Sequence, residues 1–284
     1  MSYSFRSDQR YRMPTHFGPS LGPRQGPDGR RYACVDTSND TSIQATFKAQ
    51  PDQINRLLPP GFSCREPNLI TLNFTYSTNI EWLAGRGYNV FGVSVPAIYK
   101  GGTDTVCGDF LLVLWENMAD PIITGREDLG FSKVYCDIPE PQFIGDDVLC
   151  RASWDGCQFA TLKLSNLQEV SQDALSQGDN AQNNDSLPSE GILHYKYFPK
   201  TSAPGVADVA YATLTPAETP NAKIDQAKQA ETASAHFRQS SWEELPTLVH
   251  IVNALSELNL GDCVEATLVK SHGGKDLSDQ RILS

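Results

Sequence analysis

The stretch IITGREDLGFSKVYCDI, residues 122 to 138, sets one lysine, Lys133, among Phe131, Val134 and Tyr135, a few residues after the charged run Gly125-Arg126-Glu127-Asp128. If those side chains close over the ammonium, desolvation lowers its pKa by up to several units. A lysine that is neutral near pH 7 is a nucleophile. It attacks a carbonyl, forms an imine, and the protonated imine then draws electrons from the neighbouring carbon bond. The plainer reading is a snorkelling lysine, with its stem on apolar surface and its head in water, and that arrangement is the commoner one.

Outward from this stretch, the chain reads as sheet. LITLNFTYST, YNVFGVSVPAIY, DFLLVLW, VLCRASW, CQFATLKL, ILHYKYF, DVAYATL and CVEATLVKS are β-branched, aromatic and often alternating. YKGGT and WDG between such runs are hairpin signals. PDQINRLLP is expected as a short helix, and Leu245, Leu248, Val249, Val252, Leu255 and Leu258 recur at helical spacing, with Gly261 as the expected stop. Glu116 and Asn117 fall at a strand end, where polar residues act as caps. Residues 1 to 30, rich in Gly, Pro, Arg and Gln, are expected as a flexible arm, and residues 31 to 284 as one domain. Polar stretches at 166–190 and 216–234 are expected as surface excursions. Strands without regular helix alternation favour a closed or sandwich-like β architecture.

With 284 residues, a formal net charge of -11 and a pI near 4.9, the protein has room for a sizeable core and lacks the basic patch that nucleic acid or an anionic membrane requires. Arginines near the start are not followed by an apolar segment, so a cytoplasmic location is expected. The seven cysteines have no CxxC spacing, and reduced thiols are expected. The histidines at 16, 194, 236, 250 and 272 are scattered, without triad or metal spacing, and GRGYNV lacks the third glycine of a dinucleotide fingerprint.

The segment from Gly125 to Lys133 resembles the signature of the acetoacetate decarboxylase family, a Gly-Arg-Glu run followed by an aromatic and Pro-Lys-Lys. RLLPPGF, LITLNF, YNVFGVSVP and LWENMADPIITGRE resemble flanking parts of that family in the right order, and the likeness covers roughly residues 47 to 270. It implies a mainly β (α+β) fold, with a closed, cone-like antiparallel barrel, a flanking sheet and a few helices. It also implies a homo-oligomer, no metal or organic cofactor, and Lys133 as the Schiff-base lysine.

The departures from the family pattern carry their own expectations. Val134 stands where the family has a second lysine and Ser132 where it has proline. Asn73 and Val90 stand where it has pocket glutamates. Activation of Lys133 is therefore expected mostly from burial, in a pocket formed by Asn73, Tyr88, Val90, Phe131 and Val134 and without the family's carboxylate partners. Arg126 and Glu127 are expected as a structural pair bracing the loop. Arg30, Arg31 and Arg86 are the arginines considered for a substrate carboxylate.

The implied activity is a Schiff-base lyase that decarboxylates a β-keto acid or a related hydrophobic, polyketide-like oxo-carboxylate. The alternatives are aldol, dehydration or cyclisation chemistry through the same imine, or a barrel that binds a hydrophobic ligand without chemistry.

Overall fold

The computed structural model describes residues 4–171 and 188–284. Its strands are β1 (Asn39–Lys48), β2 (Phe62–Cys64), β3 (Leu69–Ile80), β4 (Arg86–Lys100), β5 (Thr105–Glu116), β6 (Lys133–Tyr135), β7 (Gln142–Ile144), β8 (Asp147–Trp154), β9 (Cys157–Glu169), β10 (Gly191–Pro199), β11 (Ala207–Pro216), β12 (Lys223–Phe237), β13 (Cys263–His272) and β14 (Arg281–Ile282). The helices are α1 (Pro51–Asn55), α2 (Ala119–Thr124) and α3 (Val249–Ser256).

All fourteen strands belong to one sheet, ordered β14-β11-β10-β5-β4-β3-β1-β13-β12-β9-β8-β7, with β2 beside β4 and β6 beside β5. β10 and β6 run parallel to β5, and the remaining neighbours are antiparallel. The expected closed barrel is not what the pairing shows. Among the described residues the path ends at the two-residue β14 on one side and the three-residue β7 on the other. The sheet nevertheless rolls around a common core. Phe74, Phe91 and Trp115 stack across β3, β4 and β5 with ring centroids 4.1 and 5.1 Å apart. From the far side of the roll, Phe159 on β9 meets Trp115 at 5.3 Å, and Phe237 on β12 meets Phe91 at 6.0 Å.

The hairpin signals hold. Trp154 pairs with Cys157 across Asp155-Gly156, whose φ values of 47° and 80° are both left-handed, as a two-residue turn matching strand twist requires. Lys100 pairs with Thr105 around Gly101-Gly102. The predicted helical face also buries Leu245, Leu248, Val252 and Leu255. Helix α3 starts only at Val249, because Pro246 cannot continue a regular turn through the earlier leucines, and it stops at Ser256, well before Gly261.

Two expectations need correction. Most of the polar stretch 216–234 is strand β12, inserted between β13 and β9 with ladder partners on both sides. It turns Ala230, Ala233 and Ala235 to the core and leaves most of its polar residues facing solvent. Alanine, lysine and glutamine are poor strand formers, so composition hides a strand that pairing on two sides sustains. The first polar stretch begins inside β9, and its residues 172 to 187 lie outside the described residues.

The expected free arm is also held. Apart from single 3-10 turns such as Thr15–Phe17 its described residues lack regular helix, yet Arg12 and Arg24 are buried against Asp128 of the body, and buried Gln25 bonds Arg10 and Ser20 within the arm. No helix among the described residues is long and apolar enough to cross a membrane.

The stack makes a direct prediction. Phe91→Ala removes the ring that touches Phe74, Trp115 and Phe237, and should cost about 3–5 kcal/mol in a urea unfolding titration. A loss below about 1 kcal/mol would show that these rings do not hold the two sides of the roll together.

Candidate active site

The alternation of three neighbouring strands determines which side chains meet. Lys133 pairs with Leu114 and Tyr135 with Glu116 in the β6–β5 ladder, while Glu116 pairs with Val90 and Leu114 with Gly92 in β5–β4. Because side chains two apart share a face, Lys133, Leu114, Glu116, Val90 and Tyr88 lie on one side of the sheet. Phe91 and Trp115 lie on the other, in the core. Asn73 faces Gly92 on the Lys133 side, but it is three strand spacings from Lys133, roughly 14 Å. Val134, opposite Trp115, packs against the core and turns away from Lys133. Of the residues expected around the lysine, the structure thus brings Phe131 to it, brings Val90 and Tyr88 beside Glu116, and leaves Asn73 and Val134 apart.

Lys133 is buried, with 8% relative exposure, and so is Glu116, with 1%. The Nζ of Lys133 lies 2.8 Å from Oε1 of Glu116 and donates to the Pro121 carbonyl oxygen at 3.1 Å, with the Phe131 ring centroid 5.2 Å away. Burial is the main influence on the amine, as expected, but the expected lack of a carboxylate partner is corrected: Glu116 lies against the lysine. Glu116 is not a strand cap. Asn117 does close the strand end, accepting from the Asn89 backbone N–H at 2.8 Å.

Burial lowers the Lys133 pKa from the ordinary value of 10.5. Glu116 opposes that shift, and the positive charge of Arg24 adds to it. Burial likewise raises the Glu116 carboxyl, against the pull of Lys133. Both shifts favour the uncharged forms. One proton shared across 2.8 Å gives either an ion pair or an amine facing a carboxylic acid, and the total charge is the same in both. Tyr88 senses the same cluster, and burial together with the Glu116 charge pushes its phenol well above the usual range.

The loop between β5 and β6 sets the lysine's height. Gly125 ends α2 with an ordinary helical φ of -69°, and a Cβ there would come within 2.6–2.7 Å of Cε, Cδ and Nζ of Lys133. Gly130 closes the π-helical turn Gly125–Leu129 in a left-handed conformation, φ 86°. Ser132, at the family's proline position, bonds the Leu111 carbonyl oxygen at 2.9 Å and ties the loop to β5.

Arg126 holds the loop by donating to the Lys133 carbonyl oxygen at 2.8 Å, in place of the expected pairing with Glu127. Its neighbour Glu127 contributes a backbone carbonyl, which accepts from Lys196 at 2.6 Å. The buried acid of the loop is Asp128. Arg12 grips it with two nitrogens, and Arg24 reaches it at 2.9 Å. Burial opposes ionisation of Asp128, but the bonds from Arg12 and Arg24 outweigh it and hold its pKa below the usual carboxylate range. The stability this clasp supplies is accordingly full above the unfolded value near 3.8, and is lost only as pH falls through the lower folded value. Arg30, Arg31 and Arg86 are all exposed, and the arginine whose charge reaches Lys133 is Arg24.

The family model described as acetoacetate decarboxylase (ADC) matches residues 12–267. The chain belongs to the acetoacetate decarboxylase family. No curated protein matches its sequence. Among solved structures, an acetoacetate decarboxylase superposes with a TM-score of 0.64 at 11% identity, over 89% of this chain and 90% of that one. The acetoacetate decarboxylase of Legionella pneumophila gives 0.60 at 17% identity, over 94% and 98%. The enduracididine biosynthesis enzyme MppR, complexed with pyruvate, gives 0.58 at 14%, over 91% and 95%. At such identities the likeness is one of fold.

Glu116 and His194 are the residues that sequence reasoning missed. A lone carboxylate closing the apolar run DFLLVLW was the available signal for Glu116. None existed for His194, which β10 delivers from 61 positions beyond Lys133.

Two predictions follow from the geometry. Gly125→Ala should shift the Lys133 side-chain nitrogen resonance toward that of a solvated ammonium, at a stability cost of about 3–5 kcal/mol for the carboxylate left unpaired; an unmoved resonance would refute the tight approach. Asp128→Asn leaves two buried guanidinium groups uncompensated and should cost about 3–5 kcal/mol. It should also open the bonds after Arg12 and Arg24 to trypsin, and an arm as resistant as the wild type would refute the clasp.

Proposed function

We propose that this protein is a Schiff-base enzyme acting on an oxo acid, with Lys133 as the amine that condenses with the substrate ketone. The observation that carries this reading is the buried contact of 2.8 Å between Lys133 Nζ and Glu116 Oε1, in which burial moves both groups toward their uncharged forms.

In this reading Glu116 takes the ammonium proton and leaves an amine lone pair for attack on the carbonyl carbon. A second proton passes from the attacking nitrogen to the carbonyl oxygen to give the carbinolamine, the proton held by Glu116 then returns to that oxygen, which leaves as water, and a protonated imine remains. In a β-keto acid the bond to the carboxylate then breaks, its electron pair passes into the iminium, and carbon dioxide leaves. Protonation of the resulting enamine at carbon and hydrolysis of the imine return the amine and release the ketone. Glu116 sits opposite Val90 in the ladder, so a carboxylate on β5 stands next to the β4 position where the family has one. The acid-base partner expected to be missing is supplied from the neighbouring strand.

The surroundings of Lys133 also include Tyr88, Glu116 and His194, which favours a substrate with polar groups near its ketone over a uniformly hydrophobic one. A second reading is non-decarboxylating chemistry through the same imine. It is favoured by a carboxylate within hydrogen-bond reach of the amine, since such a base can remove a proton from the carbon beside the iminium. Carbon dioxide release measured beside imine trapping separates the two.

The test is borohydride reduction with acetoacetate and with pyruvate, read by intact and peptide mass. A reduced adduct on Lys133, absent from Lys133→Ala, is expected. Its rate should rise with pH to a plateau reached below the ordinary lysine value of 10.5, because the nucleophile is the deprotonated amine. Glu116→Gln removes the charge that raises the Lys133 pKa, so the plateau should begin at lower pH while its height falls by about 10²–10⁴-fold with loss of the proton carrier. An adduct on another lysine, or none with either acid, would sink the proposal.

A further inference from the structure

His194 stands on β10, 1% exposed, with its ring stacked on Phe131 at a centroid distance of 4.0 Å. The same Phe131 ring lies 5.2 Å from Nζ of Lys133, so one aromatic plate carries the amine and the imidazole. Strand β10 packs over the loop before Lys133. Lys196 bonds the Glu127 carbonyl oxygen, and Thr213 on β11 donates to the Leu129 carbonyl oxygen at 3.2 Å. The histidine is thus part of the wall that closes over the lysine, although its place in the sequence gave no hint of it.

The hydrogen bonds around the ring assign its tautomer. The Gln280 side-chain amide donates to Thr215 Oγ1 at 3.0 Å, and Thr215 Oγ1 is 3.0 Å from His194 Nε2. Thr215 is itself 2% exposed, so its hydroxyl proton needs an acceptor. Donation to Nε2 satisfies it and puts the ring proton on Nδ1. The reverse choice would strand both the hydroxyl proton and the Nδ1 lone pair. Nδ1 faces away from Thr215 and is enclosed without a hydrogen-bond partner among the described residues, as is Oε2 of Glu116, whose Oε1 meets Lys133. A buried polar group without a partner costs about 1–3 kcal/mol, so two of them, one on the carboxylate paired with the amine and one on the ring stacked over Phe131, point to a polar ligand at this site.

We infer that His194 is a substrate-binding residue of the Lys133 site, whose Nδ1–H donates to the oxygen of the substrate carbonyl as Lys133 attacks its carbon. This rests on the Schiff-base reading and specifies the electrophile: a ketone or oxo acid whose carbonyl oxygen accepts a neutral donor. Neutrality matters. Burial, with the Lys133 charge second, lowers the imidazole pKa to about 3, so the ring donates without placing a second positive charge beside the forming iminium.

The test compares wild type with His194→Phe, which keeps a ring against Phe131, and His194→Asn, whose amide nitrogen occupies nearly the position of Nδ1. The rate of borohydride trapping with pyruvate and with acetoacetate should fall by about 10²–10³-fold in the phenylalanine variant, with the adduct still on Lys133. At least about tenfold of that loss should return in the asparagine variant. Trapping at the wild-type rate in His194→Phe, or no recovery in His194→Asn, would overturn the inference.

If wild type forms no adduct with either acid, the Schiff-base reading fails, and His194 is judged on binding alone. In Lys133→Met, which forms no imine on that residue, the Nδ1–H resonance should move downfield on saturation with pyruvate or acetoacetate. An unchanged resonance with both would overturn the inference, and that readout remains usable should His194→Phe fail to fold.

Discussion

Two ionisable groups, Lys133 and Glu116, are kept out of water together, and most of the local architecture follows from that. Removing a single charge from water costs several kcal/mol, so neither residue is tolerable in its position without the other. The parallel pairing of β6 with β5 supplies the closeness. Residue 133 lands beside residue 114, and the carboxylate two positions further along the same face falls within hydrogen-bond reach. A one-residue slip of β6 would send Lys133 into the Phe91–Trp115 stack and Val134 toward Glu116. The register of a three-residue strand is therefore guarded by the penalty for burying an unpaired ammonium among aromatic rings.

The loop joining the two strands serves the same pair. Gly125 gives Lys133 room, the Pro121 carbonyl oxygen takes one of its protons, and Ser132 and Arg126 tie the loop to β5 and to the lysine's own backbone. Beyond it, Asp128 gathers Arg12 and Arg24 from the start of the chain, which carries positive charge toward the lysine without contacting it. Acetoacetate decarboxylases as a family have a second lysine next to the first; here that position is Val134, facing the core, and the nearby cation comes from the arm. Electrostatic conditions of one sign are thus assembled from different parts of the chain.

The strands of this fold were largely legible because their apolar residues alternate or cluster, and the turn at Asp155-Gly156 announced itself through residues that accept left-handed backbone. Strand β12 was not legible. Its inward positions are alanines, and its stability comes from neighbours on both sides. The lysine was legible through its motif. Its partners were not, because ladder register decides which carboxylate faces it, and register depends on bulges and crossovers that no local pattern encodes. Asn73 and Val134 were assigned to the pocket on sequence likeness alone, and alternation puts one three strands away and the other on the opposite face. The arm looked unstructured for want of apolar residues, yet two guanidinium groups anchor it to one carboxylate.

That anchorage has a consequence for how the molecule assembles. Arg12 and Asp128 are 116 positions apart in sequence, so their contact closes a very long loop and has nothing to grip until the turn carrying Asp128 has formed. The docked arm is consequently a late product of folding, and a nascent molecule passes through a stage in which its sheet is complete while both guanidinium groups of the arm still stand in water. The positive field that Arg24 adds at Lys133 is therefore complete only once the arm has docked.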